Sequence, residues 1–414
     1  MKTGKWHYTI EVVFMMLIMF SIVTPARAQN QLNVYGYFAT RLEKVFSVPS
    51  VQDGKIVDEN EPAEWSHPFF NVMMQHQIDN HFKVFVNLNG SGAENVEVAN
   101  FWGEYSANEY LNFRIGKIYR KFGLYNEILD AVPTYYGIEP PEIFDGDHLM
   151  ISRTTNVMVY GSLDAGPGIL NYSTTTDNGE GDPNNLIPIA WDVNYRFGSG
   201  DYTIGTSGYI SDILGDPTTA NVGLGEGSPK SGVLPWMEGD EFTLFGGYAE
   251  AKIENLTLQV EYWLASHDAI RDPASVVMMI NAANPNAAQR ARFLKDANAA
   301  VEEANVDVEA DYDIKTWYVR AGYSFETEIG EIGPYAQWDY YNNPETIAKK
   351  TYGGDNEAGF ADDGKFSKGT IGVLFRPIPE VAIKLDVSSH FQVLNDEDTD
   401  YPEIRFDVSY IFGQ

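Results

Sequence analysis

From residue 32 onward this chain alternates. Phe82, Val84, Val86 and Leu88 fall on one side of an extended segment, while Lys83, Phe85 and Asn87 fall on the other. The same rhythm returns at Leu256–Leu264, at Trp317–Phe325, at Val381–Ser388 and at Ile404–Phe412. Side chains of a strand change face at every residue, so a period of two means strands with one apolar face. Sixteen such segments can be marked: 32–45, 69–79, 81–90, 96–106, 110–119, 152–163, 168–174, 189–197, 201–210, 241–252, 256–266, 313–325, 331–341, 368–376, 380–391 and 402–412.

The gaps between them are sorted. Even-numbered connections are tight, as at Asn80, Gly198–Gly200, Glu254–Asn255 and Pro377–Pro379. Odd-numbered ones are mostly long: 46–68, 120–151, 211–240, 267–312 and 342–367. A soluble β-sandwich or solenoid, the competing architecture, has no reason to sort its loops by end, and no fixed-period repeat supports it. A barrel that crosses a membrane does sort them, with short turns on one side and long loops on the other. Strands of about 9 to 13 residues suit tilted membrane crossings. Tyr323, Phe325, Tyr340, Tyr410 and Phe412 lie near strand ends, where aromatic residues meet the lipid–water interface. The expected fold is a transmembrane, antiparallel, up-and-down β-barrel of about sixteen strands.

Composition closes off other classes. There are no cysteines, which excludes disulfides, thiolate metal sites and a Cys nucleophile. The 28 Lys+Arg against 59 Asp+Glu give a net charge of -31, which argues against nucleic acid as a partner. At the N-terminus Lys2 and Lys5 precede the apolar run Val12–Val23, and Ala26-Arg27-Ala28 follows. This is the pattern of a secretory signal peptide over residues 1–28, with a single membrane anchor as the alternative. Residues 29–414 would then form the barrel, with 25 basic and 58 acidic residues and a net charge of -33. Of that, -25 falls in the loops 46–68, 120–151, 175–188, 211–240, 267–312, 342–367 and 392–401. Such loops either face water or bind divalent cations that bridge them to lipid phosphates. Asp396, Asp398 and Asp400 in the run Asn395–Asp400 form a candidate calcium loop, without the Gly and distal Glu of an EF-hand.

A sixteen-stranded barrel encloses a lumen too wide for wall side chains to fill. The connection 120–151 follows the strand Leu111–Tyr119 and brings Glu127, Asp130, Glu139, Glu142, Asp145 and Asp147. By parity Leu111, Phe113, Ile115 and Tyr119 face lipid and Arg114 faces inward, as does Arg120 if the strand continues. An acidic loop opposite a basic wall would constrict the pore and set a transverse field. The alternative is that the loop packs outside and Arg114 pairs with a neighbouring carboxylate. Lys83, Arg114, Arg320, Lys384 and Arg405 are inward by parity, as are Glu104, Glu261, Asp339, Asp386 and Asp407. This mixed wall sets no strong ion preference, and the acidic mouth tilts the expectation weakly toward cations or neutral solutes. Pro285–Ala304 is Ala-rich and expected to be helical, and would plug the pore, cap it or pack outside.

The segment Arg114-Ile-Gly-Lys-Ile-Tyr-Arg-Lys-Phe-Gly-Leu-Tyr-Asn-Glu127, with Arg153-Thr-Thr-Asn156 and Gly161, resembles bacterial outer-membrane porins, in particular the phosphate-selective porin O/P-like barrels. The resemblance implies a trimer in the outer membrane of a Gram-negative bacterium, with the third loop folded inward. It places Arg114, Lys117, Arg120 and Lys121 where the strand enters the constriction. Two departures stand out: there is no run of inward Lys and Arg forming an anion ladder, and the chain ends Tyr410-Ile-Phe-Gly-Gln414 without a terminal aromatic.

The function expected is a passive channel for small hydrophilic solutes or ions, in contact with outer-membrane lipids and lipopolysaccharide, with no cofactor. The alternative is a plugged structural or binding barrel whose acidic loops engage a partner or divalent cations. Catalysis is not expected, because none of His67, His76, His81, His148, His267 and His390 sits beside a diagnostic Ser or Asp motif. N-terminal sequencing of the protein recovered from outer membranes is expected to start at Gln29. A start at Met1 would mean that the leader is retained as an anchor.

Overall fold

In hydrocarbon no water is present to bond a free N–H or C=O, so alternating strands must close on themselves. The computed structural model describes residues 32–52, 54–60, 62–65, 68–91, 95–129, 131–142, 153–177, 187–214, 236–345 and 361–413. Within them the chain makes a closed antiparallel barrel of sixteen staves. In order these are β1 (Leu32–Val45), β2 (Phe69–Gln77), β3 (Phe82–Ser91), β4 (Asn95–Asn108), β5 (Leu111–Tyr119), β6 (Arg153–Ala165), β7 (Gly168–Asp177) and β8 (Ile189–Phe197). They continue as β9 (Tyr202–Leu214), β10 (Met237–Ile253), β11 (Leu256–Arg271), β12 (Glu309–Tyr323), β13 (Gly330–Asn342), β14 (Lys365–Ile378), β15 (Val381–Leu394) and β16 (Glu397–Phe412). A short piece, Phe325–Thr327, prolongs β12 beyond a break, and Glu64–Trp65 precedes β2 in the same way. Every stave pairs with its sequence neighbours, and β1 closes the ring: Phe38 lies opposite Tyr410 of β16 on one side and Phe70 of β2 on the other. The leader and Asp130, Asp145 and Asp147 lie outside the described residues.

The two faces separate by polarity. Outward Ile115 is 62% exposed, Ile371 65% and Phe245 54%, whereas inward Lys384, Asp407 and Glu261 are at 0%. An apolar exterior over a charged interior is the reverse of a soluble protein and is what a lipid-facing barrel requires. Tyr323, Phe325, Tyr410 and Phe412 are all exposed on the outside, and Phe38 stacks on Tyr410 with centroids 4.8 Å apart.

Three expectations need correction. Strands β10, β11 and β12 run several residues further at the long-loop end than periodicity indicated. The run read as a calcium loop is a hairpin. Asn395 and Asp396, with φ of 56° and 62°, are the two turn residues between Leu394 and Glu397, the backbone sign that two-residue hairpin turns demand. Asp398 and Asp400 sit on β16, exposed, and no cluster of carboxylates or histidines among the described residues is arranged to hold a metal. The third correction concerns the Ala-rich segment. The longer helix precedes it: α1 (Pro273–Ala283) starts where the Asp272 side chain accepts from the Ser275 N–H at 2.8 Å, with Pro273 in the first turn. Within 285–304 only the four residues of α2 (Ala287–Arg290) are α-helical. Beyond it, Asp296 and Asn305 capture local backbone groups, which outcompetes the alanines' helical preference.

The longer strands carry acid outward. Asp212, Glu241, Asp268 and Asp311 lie directly opposite one another on β9 to β12, forming a row of like charges on the outer face. Like charges directly opposite across strands destabilise a sheet. Asp268→Asn is expected to raise the barrel's thermal stability by about 0.2–1 kcal/mol at low ionic strength, with the gain shrinking in high salt. Thermal unfolding in detergent at two salt concentrations checks this.

Candidate functional site: the lumen and its inward loop

All ten residues assigned to the lumen by parity point there. Lys83 and Arg114 both pair with Glu104, at 2.8 Å and 2.7 Å. Arg320 donates to Gln337, Tyr318 donates to Glu261, and Asp407 accepts from Ser409. Lys117 is a correction. It lies opposite Phe101, which is 48% exposed on the outside, so it belongs to the outer face and not to the pore. Parity with Ile115 already indicated this, and the resemblance had overridden it.

The loop after β5 folds inward and crosses to the far wall. Helical turns at Asn126–Ile128 and Val132–Thr134 shape it. Its first part meets β9 and β11, where the Gly123 N–H donates to Ser207 Oγ and the Leu124 N–H donates to Glu261. Its second part meets β13 to β16 and β1. Lys384 Nζ donates to the carbonyls of Val132 and Gly137, each at 2.6 Å, and Arg376 donates to that of Pro133. The Ile138 N–H donates to Asp386 and the Glu142 N–H to Asp339. Gly137 has φ of 90°, a conformation that side-chain-bearing residues rarely adopt, and a Cβ there would sit 2.8 Å from the Glu139 carbonyl. Tyr136 fits against the wall because Gly322 and Gly333 leave room; a Cβ on Gly322 would meet its ring at 2.5 Å.

Glu139 is the centre of an ion network. It pairs with Arg41 at 3.0 Å, with Arg405, and with Lys368 at 3.7 Å, while Lys368 also pairs with Glu142. Burial opposes ionisation of Glu139. Arg405, Lys368 and Arg41 outweigh it and hold the carboxyl at about 2, against an ordinary 4.5. The loop is thus tied by one carboxylate to β1, β14 and β16.

Under and beside the loop lies a dry core inside the barrel. Phe122 stacks on Trp263 of β11 with centroids 4.3 Å apart, and Tyr125 meets Tyr318 of β12 edge-on. From the mouth, α1 adds Val276, Met279 and Ile280, and the following segment adds Phe293. The sequence did carry a signal for this core: Trp263 and Tyr318 share parity with Glu261 and Arg320, so large aromatics stood on the polar face.

The described residues proposed for the constriction can now be placed; Asp130, Asp145 and Asp147 lie outside them. Arg114, Lys121 and Glu127 keep side-chain exposures of 16%, 27% and 43% on the side that the loop's described residues leave uncovered. Arg120 is fully buried, pairs with Asp177 at 2.6 Å and lies over the Tyr209 ring. Arg320 and Lys384 are covered by the loop and anchor it or its aromatics, Arg320 lying 5.0 Å from the Tyr125 ring centroid. Glu139 and Glu142 are bound to the wall. Arg41, Lys368 and Arg376, which complete the anchorage, were not singled out in the sequence, although the alternation of β14 puts Lys368 and Arg376 on one face.

A closed barrel with tight turns at one end, long loops at the other and a loop folded into its lumen has a recognisable architecture. The fold is that of outer-membrane porins. The outer-membrane channel DcaP of Acinetobacter baumannii superposes with a TM-score of 0.53 at 10% identity, over 94% of this chain and all (100%) of that one. An anion-selective porin from Comamonas acidovorans gives 0.55 at 9% identity, over 92% of this chain and 99% of that one. In-vitro folded OmpT of Vibrio cholerae, in its trimer form, gives 0.51 at 12%, over 92% and 99%. No family model matches the chain, and no curated protein does. At these identities the likeness is to the porin barrel in general and does not single out the phosphate-selective kind.

Glu139→Gln is expected to destabilise the loop's anchorage by on the order of 3 kcal/mol, because Arg41, Lys368 and Arg405 lose their shared counter-charge. The pH dependence has a definite sign. The folded value is depressed, so the anchorage is complete above about pH 4.5 and is lost as pH falls toward about 2. Single-channel current noise, if it reports loop motion, is expected to rise through that window in the native protein and to be high and independent of pH in Glu139→Gln.

Proposed function

We propose that this chain is an outer-membrane diffusion channel for small hydrophilic solutes or ions, narrowed by the loop that begins at residue 120. The carrying observation is the anchorage of that loop to the far wall by Lys384, Arg376 and the Glu139 network. A plug that merely fills space needs no such one-sided attachment. Here the described residues of the loop cover the wall from β9 round to β1, while its Lys121 stays half-buried and its Glu127 exposed near Arg114. The passage in this reading is eccentric and runs along β3 to β6.

Two further elements belong to the same reading. Export by the leader would deliver the barrel to the outer membrane of a Gram-negative bacterium, where lipids and lipopolysaccharide surround its apolar belt. Assembly as a homotrimer is supported by the trimeric OmpT form, a protein of similar fold. His267 is buried against Asp240 at 2.8 Å between the rings of Phe242 and Tyr312, and His390 is buried against Glu403, so both are enclosed by packing.

Purified protein inserted in a planar bilayer is expected to give stepwise conductance. Heat-modifiable, correctly folded protein that gives none would overturn the channel in favour of a plugged barrel. Arg114→Ala is expected to move the reversal potential in a potassium chloride gradient toward cation preference. An unchanged value would exclude Arg114 from the passage.

A further inference from the structure

On the wall of β3 to β6, which the described residues of the loop leave uncovered, rings and cations alternate. Phe85 of β3 stacks on Trp102 of β4, with centroids 5.0 Å apart and planes 16° apart. The Arg114 guanidinium follows, 4.1 Å from the Trp102 centroid and 5.2 Å from that of Tyr160 on β6. The Lys121 ammonium comes next, 4.6 Å from the same Tyr160 ring. Aromatic faces attract cations and hold these flexible side chains in place, so little conformational freedom remains to be lost when a ligand arrives.

The hydrogen bonds of this ladder leave one edge open. Arg114 Nε and Nη2 both donate to Glu104 Oε2, at 2.9 Å and 2.7 Å, Nη2 also reaches the Tyr160 hydroxyl at 3.3 Å, and that hydroxyl donates to Glu104 at 2.7 Å. Lys83 takes the other oxygen of Glu104 at 2.8 Å. Among the described residues, Arg114 Nη1 has no hydrogen-bond partner, and the nearest carboxylate to Lys121 is that of Glu127, at the long distance of 4.0 Å. Guanidinium and ammonium only donate, so the open positions suit an acceptor.

We infer that Arg114 Nη1 and the Lys121 ammonium form a subsite for a small monocarboxylate as it passes the constriction. The inference rests on the channel reading above and names its solute class. Among the described residues the charge balance favours one negative charge: Lys83, Arg114 and Lys121 face Glu104 and Glu127, leaving a surplus of one. Glu104 is only 3% exposed, so its charge is poorly hydrated and repels a second charge on the solute. A phosphate dianion is therefore a poorer match than acetate.

The test uses the full-length protein in planar bilayers. Potassium acetate is titrated against a fixed chloride current, and inorganic phosphate is titrated separately. Acetate is expected to reduce the chloride current with saturation, at lower concentration than phosphate at pH 8. In Arg114→Gln and Lys121→Gln the half-saturating acetate concentration is expected to rise about tenfold or more, the usual consequence of losing a hydrogen bond to a charged group. Lys117→Gln, on the outer face, is expected to leave it where it is. Acetate that shows no saturation, saturation unchanged in both lumenal variants, or tighter saturation by phosphate would each overturn the subsite. These outcomes need an open channel, so they are distinct from failure of the channel reading, which shows as no conductance at all.

Discussion

The pairing of every backbone N–H and C=O is the constraint from which the rest of this structure follows. Hydrocarbon offers those groups no substitute partner, and each one left open there would cost several kcal/mol. A sheet of this chain therefore cannot have an edge. Closure through β1 and β16 removes it, and with sixteen staves the ring is too wide for wall side chains to fill. The inward loop is an answer to that surplus space. It brings its own backbone into the lumen, which raises the same demand again. Lys384 and Arg376 meet it from the wall by donating to the carbonyls of Val132, Pro133 and Gly137, while Asp386, Asp339 and Glu261 accept its N–H groups. The charges of β11 and β13 to β15 thus serve the loop before they serve any solute.

This division of labour changes what a charged lumen means. Parity gave five bases and five acids, a mixed wall with no preference. The structure divides eight of them into two populations. Arg320, Lys384, Glu261, Asp339 and Asp386 are enclosed with the loop, beside aromatic packing that keeps water out. Lys83, Arg114 and their shared partner Glu104 lie on the uncovered side with Lys121. Counting charges over the whole wall averages two different environments, one packed against the loop and one not.

The staves are legible in the sequence because lipid enforces alternation on every one of them, and a one-residue slip would turn an entire apolar face inward. What is illegible depends on tertiary competition. The Ala-rich stretch after Pro285 has helical preference, but Asp272 and Pro273 start the helix earlier, and Asp296 and Asn305 tie the alanines into turns. The acidic run at Asn395–Asp400 suggested a metal loop by its density, although an Asn-Asp pair between two alternating strands was also a turn signal. Lys117 shows the reverse case. Period-two parity with Ile115 placed it outside, and the family resemblance moved it into the pore. The local geometric rule was the better guide, since a resemblance transfers positions and parity fixes directions.

The acidity of the chain also acquires an address. Its loops held most of the net charge, and two of those acids, Glu139 and Glu142, are spent within the barrel on Arg41, Arg405 and Lys368. Others extend down the outer face in the row Asp212, Glu241, Asp268 and Asp311. In the proposed channel, an anion approaching the mouth would meet a repulsive rim before it met Arg114. Ions screen that rim within about 8 Å at physiological ionic strength, whereas the partly buried cations of the inner wall are screened much less. Rim and wall then act on different quantities. In the proposed channel the rim would set how often an anion arrives and would depend on salt, while the ladder of Trp102, Arg114, Tyr160 and Lys121 would set how long it stays.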